Sequence, residues 1–138
     1  MAYWLYPANN KYYDVMGAFS KKTAFWPMKS KVTKGDIVLI YLASPFKQIG
    51  FKCTVVKTDM MEDDVYDKVS LYFKQIPAKK EKINRFMKLD KIESIPLKQE
   101  SPLGLNQLRK FGLNGMLMGP RNLDNIPKLL SYISGCIS

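Results

Sequence analysis

The segment of residues 37–44 constrains the fold more than any other part of the chain. Its first seven positions, Ile-Val-Leu-Ile-Tyr-Leu-Ala, are all apolar, whereas a strand with one side in water alternates apolar and polar residues. Both faces of this strand must therefore be covered, as in a closed barrel or in a sheet with helices packed on it. Pro45 ends the strand.

Short apolar or partly alternating runs bounded by turn formers predict further strands. These runs are residues 3–6, 23–26, 49–56, 69–76 and 87–95. The acidic stretch Glu62-Asp63-Asp64 before the fourth run is interpreted as a solvated polar loop rather than a catalytic pair.

Helical spacing predicts three short helices. The first spans residues 12–19. The second begins at Ser101-Pro102, where Ser can cap the helix and Pro suits the first helical position. The third lies near the end of the chain, with Asp124 or Asn125 as its cap and Pro127 in its first turn.

A chain of 138 residues can bury a hydrophobic core without the help of disulfides or bound metals. We therefore expect a single domain over residues 1–138, which could belong to a longer protein.

The charge balance is strongly basic. Lys and Arg outnumber Asp and Glu by 22 to 12, a net charge of +10, which favours a polyanionic partner such as nucleic acid. Nineteen of the 22 basic residues are Lys, and a Lys bias can also arise from genome composition alone. With only three Arg, we expect contacts mostly to a phosphate backbone rather than to base edges in a groove.

Several chemical classes lack the residues they need. The chain has no His and its two cysteines, Cys53 and Cys136, are far apart, so we expect no zinc site and no structural metal. Both are interpreted as reduced thiols in a cytoplasmic protein. The chain has no phosphate-binding loop and no dinucleotide-binding motif, so we expect no cofactor. No apolar run is long enough for a membrane helix. We therefore expect neither catalysis nor membrane contact.

Aromatic residues are concentrated in the first 41 positions, several of them near turns. Most must be core, but a ring at the mouth of a small barrel can stack on a flipped or unpaired base, at about 1–3 kcal/mol per base. The set comprises Trp4, Tyr6, Tyr12, Tyr13, Phe25, Trp26 and Tyr41.

The order of several short blocks resembles the EVE domains of the PUA-like superfamily, which are related to YTH and ASCH domains. The blocks are Tyr3-Trp4-Leu5-Tyr6-Pro7, Phe25-Trp26, Lys34-Gly35-Asp36-Ile37-Val38-Leu39-Ile40-Tyr41, Ile49-Gly50-Phe51, Gly119-Pro120-Arg121 and Leu129-Leu130-Ser131-Tyr132-Ile133. The resemblance implies an α+β fold, a PUA-like distorted β-barrel of five or six strands flanked by short helices. It also implies a pocket for one modified base, a methylated or hydroxymethylated cytosine or a methylated adenine.

In that resemblance Trp26 would be a wall of the base pocket; the alternative is a buried residue at the end of the barrel. Tyr41 and Ser44 occupy the strand end that lines the pocket in similar domains, and strand alternation places them on opposite faces.

The segment after the first strand is the other part of the expected pocket. Asn9, Asn10 and Tyr12 follow that strand where relatives contact a base edge, although this chain has Pro-Ala-Asn-Asn where many EVE domains have Lys-Ser-Glu-Pro. This departure leaves the base preference open.

We expect Lys29, Lys31, Lys34 and Arg121 to contact phosphate; the alternative is that they are merely solvated. The leading hypothesis is a reader that flips one modified base of duplex DNA. It would serve as the specificity domain of a restriction or defence system and would be fused to, or partnered with, a nuclease or NTPase.

Three alternatives stay open. A PUA-like RNA-binding module would show no preference for modification. A hydrolase of modified nucleobases would need a Lys or Thr and a carboxylate converging in the pocket. A protein-association domain would expose an apolar patch rather than a basic one.

Overall fold

The computed structural model describes residues 1–9, 13–72, 85–115 and 117–137. Within them, six strands form one mixed sheet and four short helices flank it. The strands are β1 (Tyr3–Ala8), β2 (Thr23–Pro27), β3 (Ile37–Leu42), β4 (Gln48–Met61), β5 (Arg85–Ser94) and β6 (Arg121–Asn122). The helices are α1 (Val15–Ala18), α2 (Glu62–Val69), α3 (Leu105–Lys110) and α4 (Pro127–Cys136).

The strand order across the sheet is β2-β5-β4-β3-β1-β6. Strands β1 and β3 run parallel in the centre, with Tyr6 opposite Ile40 and Pro7 opposite Tyr41, and the other neighbours are antiparallel. Because β1 and β3 are parallel, their carboxyl ends meet at one edge of the sheet.

Both faces of the central strand are covered, as its apolar run predicts. All six residues of β3 are buried. Alternate side chains enter two separate cores, one on the side of α1 and one on the side of α4. The α1-side core includes Tyr6, Phe19, Trp26, Val38, Ile40 and Leu42, and the α4-side core includes Leu5, Leu39, Tyr41, Leu108, Leu129 and Ile133.

The sheet is strongly curled. On a flat sheet, the four strand spacings between β2 and β1 would separate them by about 19 Å. Trp26 of β2 and Tyr6 of β1 nevertheless share the α1-side core, and the Tyr6 hydroxyl hydrogen-bonds to Ser30 just after β2. No pairing joins the edge strands β2 and β6 in the described ranges, so the sheet is an open barrel. The predicted α+β fold, with five or six strands flanked by short helices, is confirmed, and the number of strands is six.

The turn before β3 is held by a buried carboxylate. Asp36 is 3% exposed and accepts hydrogen bonds from the backbone N–H of Ala2 (2.9 Å) and Thr33 (2.9 Å), the Trp4 indole (3.1 Å) and the Thr33 hydroxyl (3.1 Å). Burial disfavours the charged carboxylate, but these hydrogen bonds outweigh it and lower the pKa of Asp36. The start of β1 is thereby fastened beside β3.

The strand predicted over residues 69–76 is wrong in its described part. Val69 is the last residue of α2, and Ser70–Tyr72 form a single 3-10 turn; residues 73–76 lie outside the described ranges. Val65 and Val69, one helical turn apart, are buried together against Phe86, so helical spacing prevails over strand alternation. The acidic stretch predicted as a loop is the first turn of this helix, where negative charge complements the helix dipole.

Two predicted helix caps and several strand ends also differ; β4, for example, continues to Met61, five residues past its predicted end. Helix α3 begins after Gly104, while the Ser101 hydroxyl accepts the Leu103 N–H at 3.1 Å in the preceding turn. Helix α4 begins at Pro127, as predicted for that residue, but its N-cap is Ile126 because a 3-10 turn occupies Leu123–Asn125. Strand β3 ends at Leu42, two residues before the predicted end.

Candidate functional site

A cavity of about 380 Å³ opens beyond the carboxyl ends of β1, β2 and β3. Its volume falls within the range of small-molecule sites, roughly 300–1,000 Å³. Since it lies past the strand ends, side chains from both faces of the sheet reach it. We call it the aromatic cavity; its lining residues are Tyr6, Pro7, Ala8, Asn9, Tyr13, Trp26, Pro27, Lys29, Tyr41, Ala43, Leu117, Met118, Gly119 and Pro120.

Trp26 is both a wall of the cavity and a core residue. It is only 5% exposed, and its ring packs against Phe19 (centroids 5.3 Å apart, 47° between planes) and Tyr13 (5.2 Å, 46°). Tilted contacts of this kind are favourable and leave the indole little freedom. Both interpretations of Trp26 made from the sequence, pocket wall and buried end residue, therefore describe the same side chain.

Three tyrosines add polar atoms to the aromatic wall. Burial raises the pKa of Tyr6, although its hydrogen bonds with Ser30 and the Lys29 backbone act to lower it. Burial also raises the pKa of Tyr41, although the charge of Arg109 acts to lower it. Burial, helped by the charge of Glu62, raises the pKa of Tyr13 to about 12. All three phenols are therefore neutral at pH 7. A neutral phenol can both donate and accept hydrogen bonds, and the Tyr6 hydroxyl is already bonded to Ser30.

The rim of the cavity has polar and apolar parts. Asn9 and Lys29 are exposed and contribute an amide and a cation. Leu117 and Met118, the latter 86% exposed, form an apolar lip. The lining therefore combines aromatic, hydrogen-bonding, cationic and apolar groups.

The structure brings together four of the residues predicted from the sequence. Trp26, Tyr41, Asn9 and Lys29 all line the aromatic cavity. Asn10 and Tyr12 lie outside the described residues.

The remaining predicted residues lie elsewhere. Ser44 is exposed in the turn after β3 and is not part of the lining, so strand alternation does not apply to it. Lys31 and Lys34 are exposed in the β2–β3 connection, and Arg121 lies in β6 opposite Leu5; none of the three lines the cavity.

The apolar lip was not predicted. Tyr6 and Tyr13 belong to the aromatic set noted in the sequence, but Leu117 and Met118 stand in a loop without regular spacing. They reach the cavity because β6, which follows this loop, pairs with β1. No local pattern carries that information.

The described residues contain neither a metal-binding cluster nor a membrane-spanning helix. No group of three or more His, Cys, Asp or Glu side chains in these ranges is placed to hold a metal ion. No helix in the same ranges is long and apolar enough to cross a membrane.

Comparisons by sequence and by structure give different results. No protein-family model matches the chain, and no curated protein matches it by sequence. A mutant of the ASCH protein from Zymomonas mobilis aligns over 100% of both chains, with a TM-score of 0.64 and 10% identity. A protein from Pseudomonas putida aligns over 98% of this chain and 99% of its own, with a TM-score of 0.65 and 14% identity.

A third similar structure was solved with a ligand. Human THYN1, in complex with DNA containing 5-methylcytosine, aligns over 80% of this chain and 75% of its own, with a TM-score of 0.51 and 11% identity. Identities this low show a shared fold and no more. The α+β fold that the resemblance implies is therefore shared with these solved structures.

Proposed function

We propose that this protein is a PUA-like nucleic-acid-binding module that holds one base, flipped out of its stack, in the aromatic cavity. The observation that carries the proposal is the convergence of Tyr6, Tyr13, Trp26 and Tyr41 around one opening with Lys29 at its rim. Stacking a base on aromatic rings contributes about 1–3 kcal/mol. The neutral Tyr41 phenol can hydrogen-bond to a base edge, and Lys29 can pair with the adjoining phosphate.

The net charge of +10 supports a polyanionic ligand. The structural similarity to THYN1, whose solved complex contains methylcytosine DNA, points in the same direction. Neither observation depends on the other.

A modified base of the kind read by EVE domains fits the lip of the cavity best. Leu117 and Met118 offer an apolar surface where a methyl group could be buried. Burying one methyl group contributes about 0.8 kcal/mol, a preference of roughly fourfold over the unmodified base. Fusion to, or partnership with, a nuclease or NTPase in a restriction or defence system remains a prediction that rests on the resemblance to EVE domains.

We propose binding without catalysis. Hydrolysis of a modified nucleobase would need a carboxylate beside a Lys or Thr. Among the described residues that line the cavity, Lys29 is the only charged side chain and none is a carboxylate or a Thr.

Equilibrium binding at fixed, near-physiological salt tests the proposal. The ligands are matched duplexes that differ only in methylcytosine, hydroxymethylcytosine or methyladenine at one position, together with an RNA of the same sequence. Removing the buried Trp26 ring would cost about 3–5 kcal/mol of stability. Tyr41→Phe, which deletes one hydroxyl, is therefore the better probe, with Tyr66→Phe on the exposed face of α2 as its control.

We expect one modified duplex to bind about four- to tenfold more tightly than the unmodified one. Tyr41→Phe should weaken binding of modified and unmodified duplexes alike, because one hydrogen bond to the base is lost, and Tyr66→Phe should not. Equal binding of all duplexes and RNA would replace modified-base recognition with the RNA-binding alternative.

A further inference from the structure

A second cavity, of about 690 Å³, lies between the β3–β4 turn, the segment 98–101 and helix α3. We call it the polar groove. Four cationic side chains, Lys47, Lys98, Arg109 and Lys110, line it together with one carboxylate, Glu100. None of these cations is among the residues that sequence reasoning selected for phosphate.

Backbone contacts fix the segments that carry the cations of this groove. Lys47 has a left-handed backbone (φ 51°), which costs a non-glycine residue of order 1 kcal/mol. Its carbonyl accepts the Leu105 N–H at 2.9 Å, and Gln48 bridges to Gly104. Lys47 is thus fixed against the helix that carries Arg109 and Lys110.

A buried glutamine fixes the opposite side of the groove. Gln48 is 1% exposed; its amide nitrogen donates to the carbonyls of Ile49 and Pro96 at 3.1 Å, and its oxygen accepts the Lys98 N–H at 3.0 Å. A single side chain therefore joins the turn that carries Lys47 to the segment that carries Lys98.

The groove adjoins the aromatic cavity. The turn after β3 separates them, with Ala43 lining the aromatic cavity and Phe46 lining the groove. Arg109 of the groove is near enough to Tyr41 of the aromatic cavity for its charge to affect the Tyr41 hydroxyl. The two sites are thus neighbours across one turn.

We propose that the polar groove binds the sugar–phosphate backbone of the nucleic-acid strand whose base occupies the aromatic cavity, with Lys47, Lys98, Arg109 and Lys110 paired to successive phosphates. This inference rests on the proposed function and adds the path of the strand. Lysine acts on phosphate as a point charge, so the contacts confer affinity and salt dependence rather than sequence preference.

The salt dependence of binding tests this path. The groove variant is Lys47→Gln/Lys110→Gln; the control is Lys22→Gln/Lys57→Gln, which has the same net charge and changes two exposed lysines outside the lining of both cavities. Arg109 is left unchanged because its charge also reaches Tyr41. All four substituted lysines are exposed, so we expect every variant to fold.

Affinity for the preferred duplex is measured from low to near-physiological salt. We expect the groove variant to reduce the slope of log K against log salt by about 1.8, for two lost phosphate contacts, and the control to keep the wild-type slope. The preference for a modified base should be equal in all three proteins.

Equal slopes for the groove variant and the control would overturn the path while leaving the proposed function standing. A wild-type protein that binds no nucleic acid would overturn both. A preference for modification that disappears with the groove lysines would also overturn the path, because it would place the base rather than the backbone there.

Discussion

The indole N–H of Trp4 donates a hydrogen bond of 3.1 Å to Oδ2 of Asp36, which lies 32 positions later in the chain. The same carboxylate accepts the backbone N–H groups of Ala2 and Thr33, so it joins the first strand to the turn that begins β3. These two strands carry Tyr6 and Tyr41 to the aromatic cavity. A structural carboxylate at one end of the parallel pair thus positions the site at the other end.

Replacing Asp36 by Asn should destabilise the protein. The new amide would present an NH₂ group to N–H donors that now face an oxygen, and the charge-assisted hydrogen bonds would be lost. We expect the free energy of unfolding to fall by about 2–4 kcal/mol in urea titrations at pH 7. Asp67→Asn, on the exposed face of α2, is the control. A loss below about 0.5 kcal/mol, the range of ordinary surface changes, would contradict this role.

The contribution of Asp36 should also depend on pH. Its pKa is lower in the folded protein than the value of about 3.9 in unfolded chains, so the unfolded state binds the proton more readily. The stabilisation is complete above the unfolded pKa and is lost as pH falls through the folded one. We expect the difference in unfolding free energy between wild type and Asp36→Asn to shrink below about pH 4. A difference that stays constant into strong acid would rule this out.

The two cysteines should react very differently with an alkylating reagent. Burial, opposed by Lys91 and aided by Asp90, raises the pKa of the Cys53 thiol to about 12, whereas Cys136 is exposed; both are free. Iodoacetamide at pH 8 should therefore label Cys136 alone in the native protein and both after unfolding, as read by mass spectrometry. Rapid native labelling of Cys53 would show that its strand opens readily.

The apolar lip should contribute to affinity without contributing to folding. Met118 is 86% exposed, so Met118→Ala should leave the unfolding free energy unchanged. Losing its contact with a bound base should weaken binding of the preferred duplex about two- to fivefold, or about 0.5–1 kcal/mol. Met61→Ala, at a position that is 55% exposed on β4, is the matched control. Equal effects of the two variants would remove Met118 from the site.

The sequence predicts those parts of the fold in which the apolar residues follow a single pattern, either that of a strand or that of a helix. The uninterrupted apolar run of β3 indicated a strand buried on both faces, and six buried residues confirm it. The segment after Glu62 contains both a strand-like alternation and the helical pair Val65 and Val69, and only packing against Phe86 decides between them.

The residues of the candidate site also differ in how far the sequence predicts them. Trp26 and Tyr41 belong to the aromatic set, and the resemblance to EVE domains assigns them to the pocket, whereas Met118 and Lys47 reach their cavities through pairings between distant segments. The curl of the sheet, which places β2 beside β1, is likewise a product of the whole chain. Such placement leaves no trace in local spacing.

Photochemical cross-linking tests the central claim most directly, because it reports where the base lies. A duplex with 5-iodocytosine at one position places a photoreactive atom where the methyl group of 5-methylcytosine would be. After irradiation and digestion, we expect cross-links to the peptides that contain Trp26 or Met118, in the lining of the aromatic cavity. Cross-links confined to Phe46 in the polar groove, or to Tyr66 on α2, would contradict a base held in that cavity.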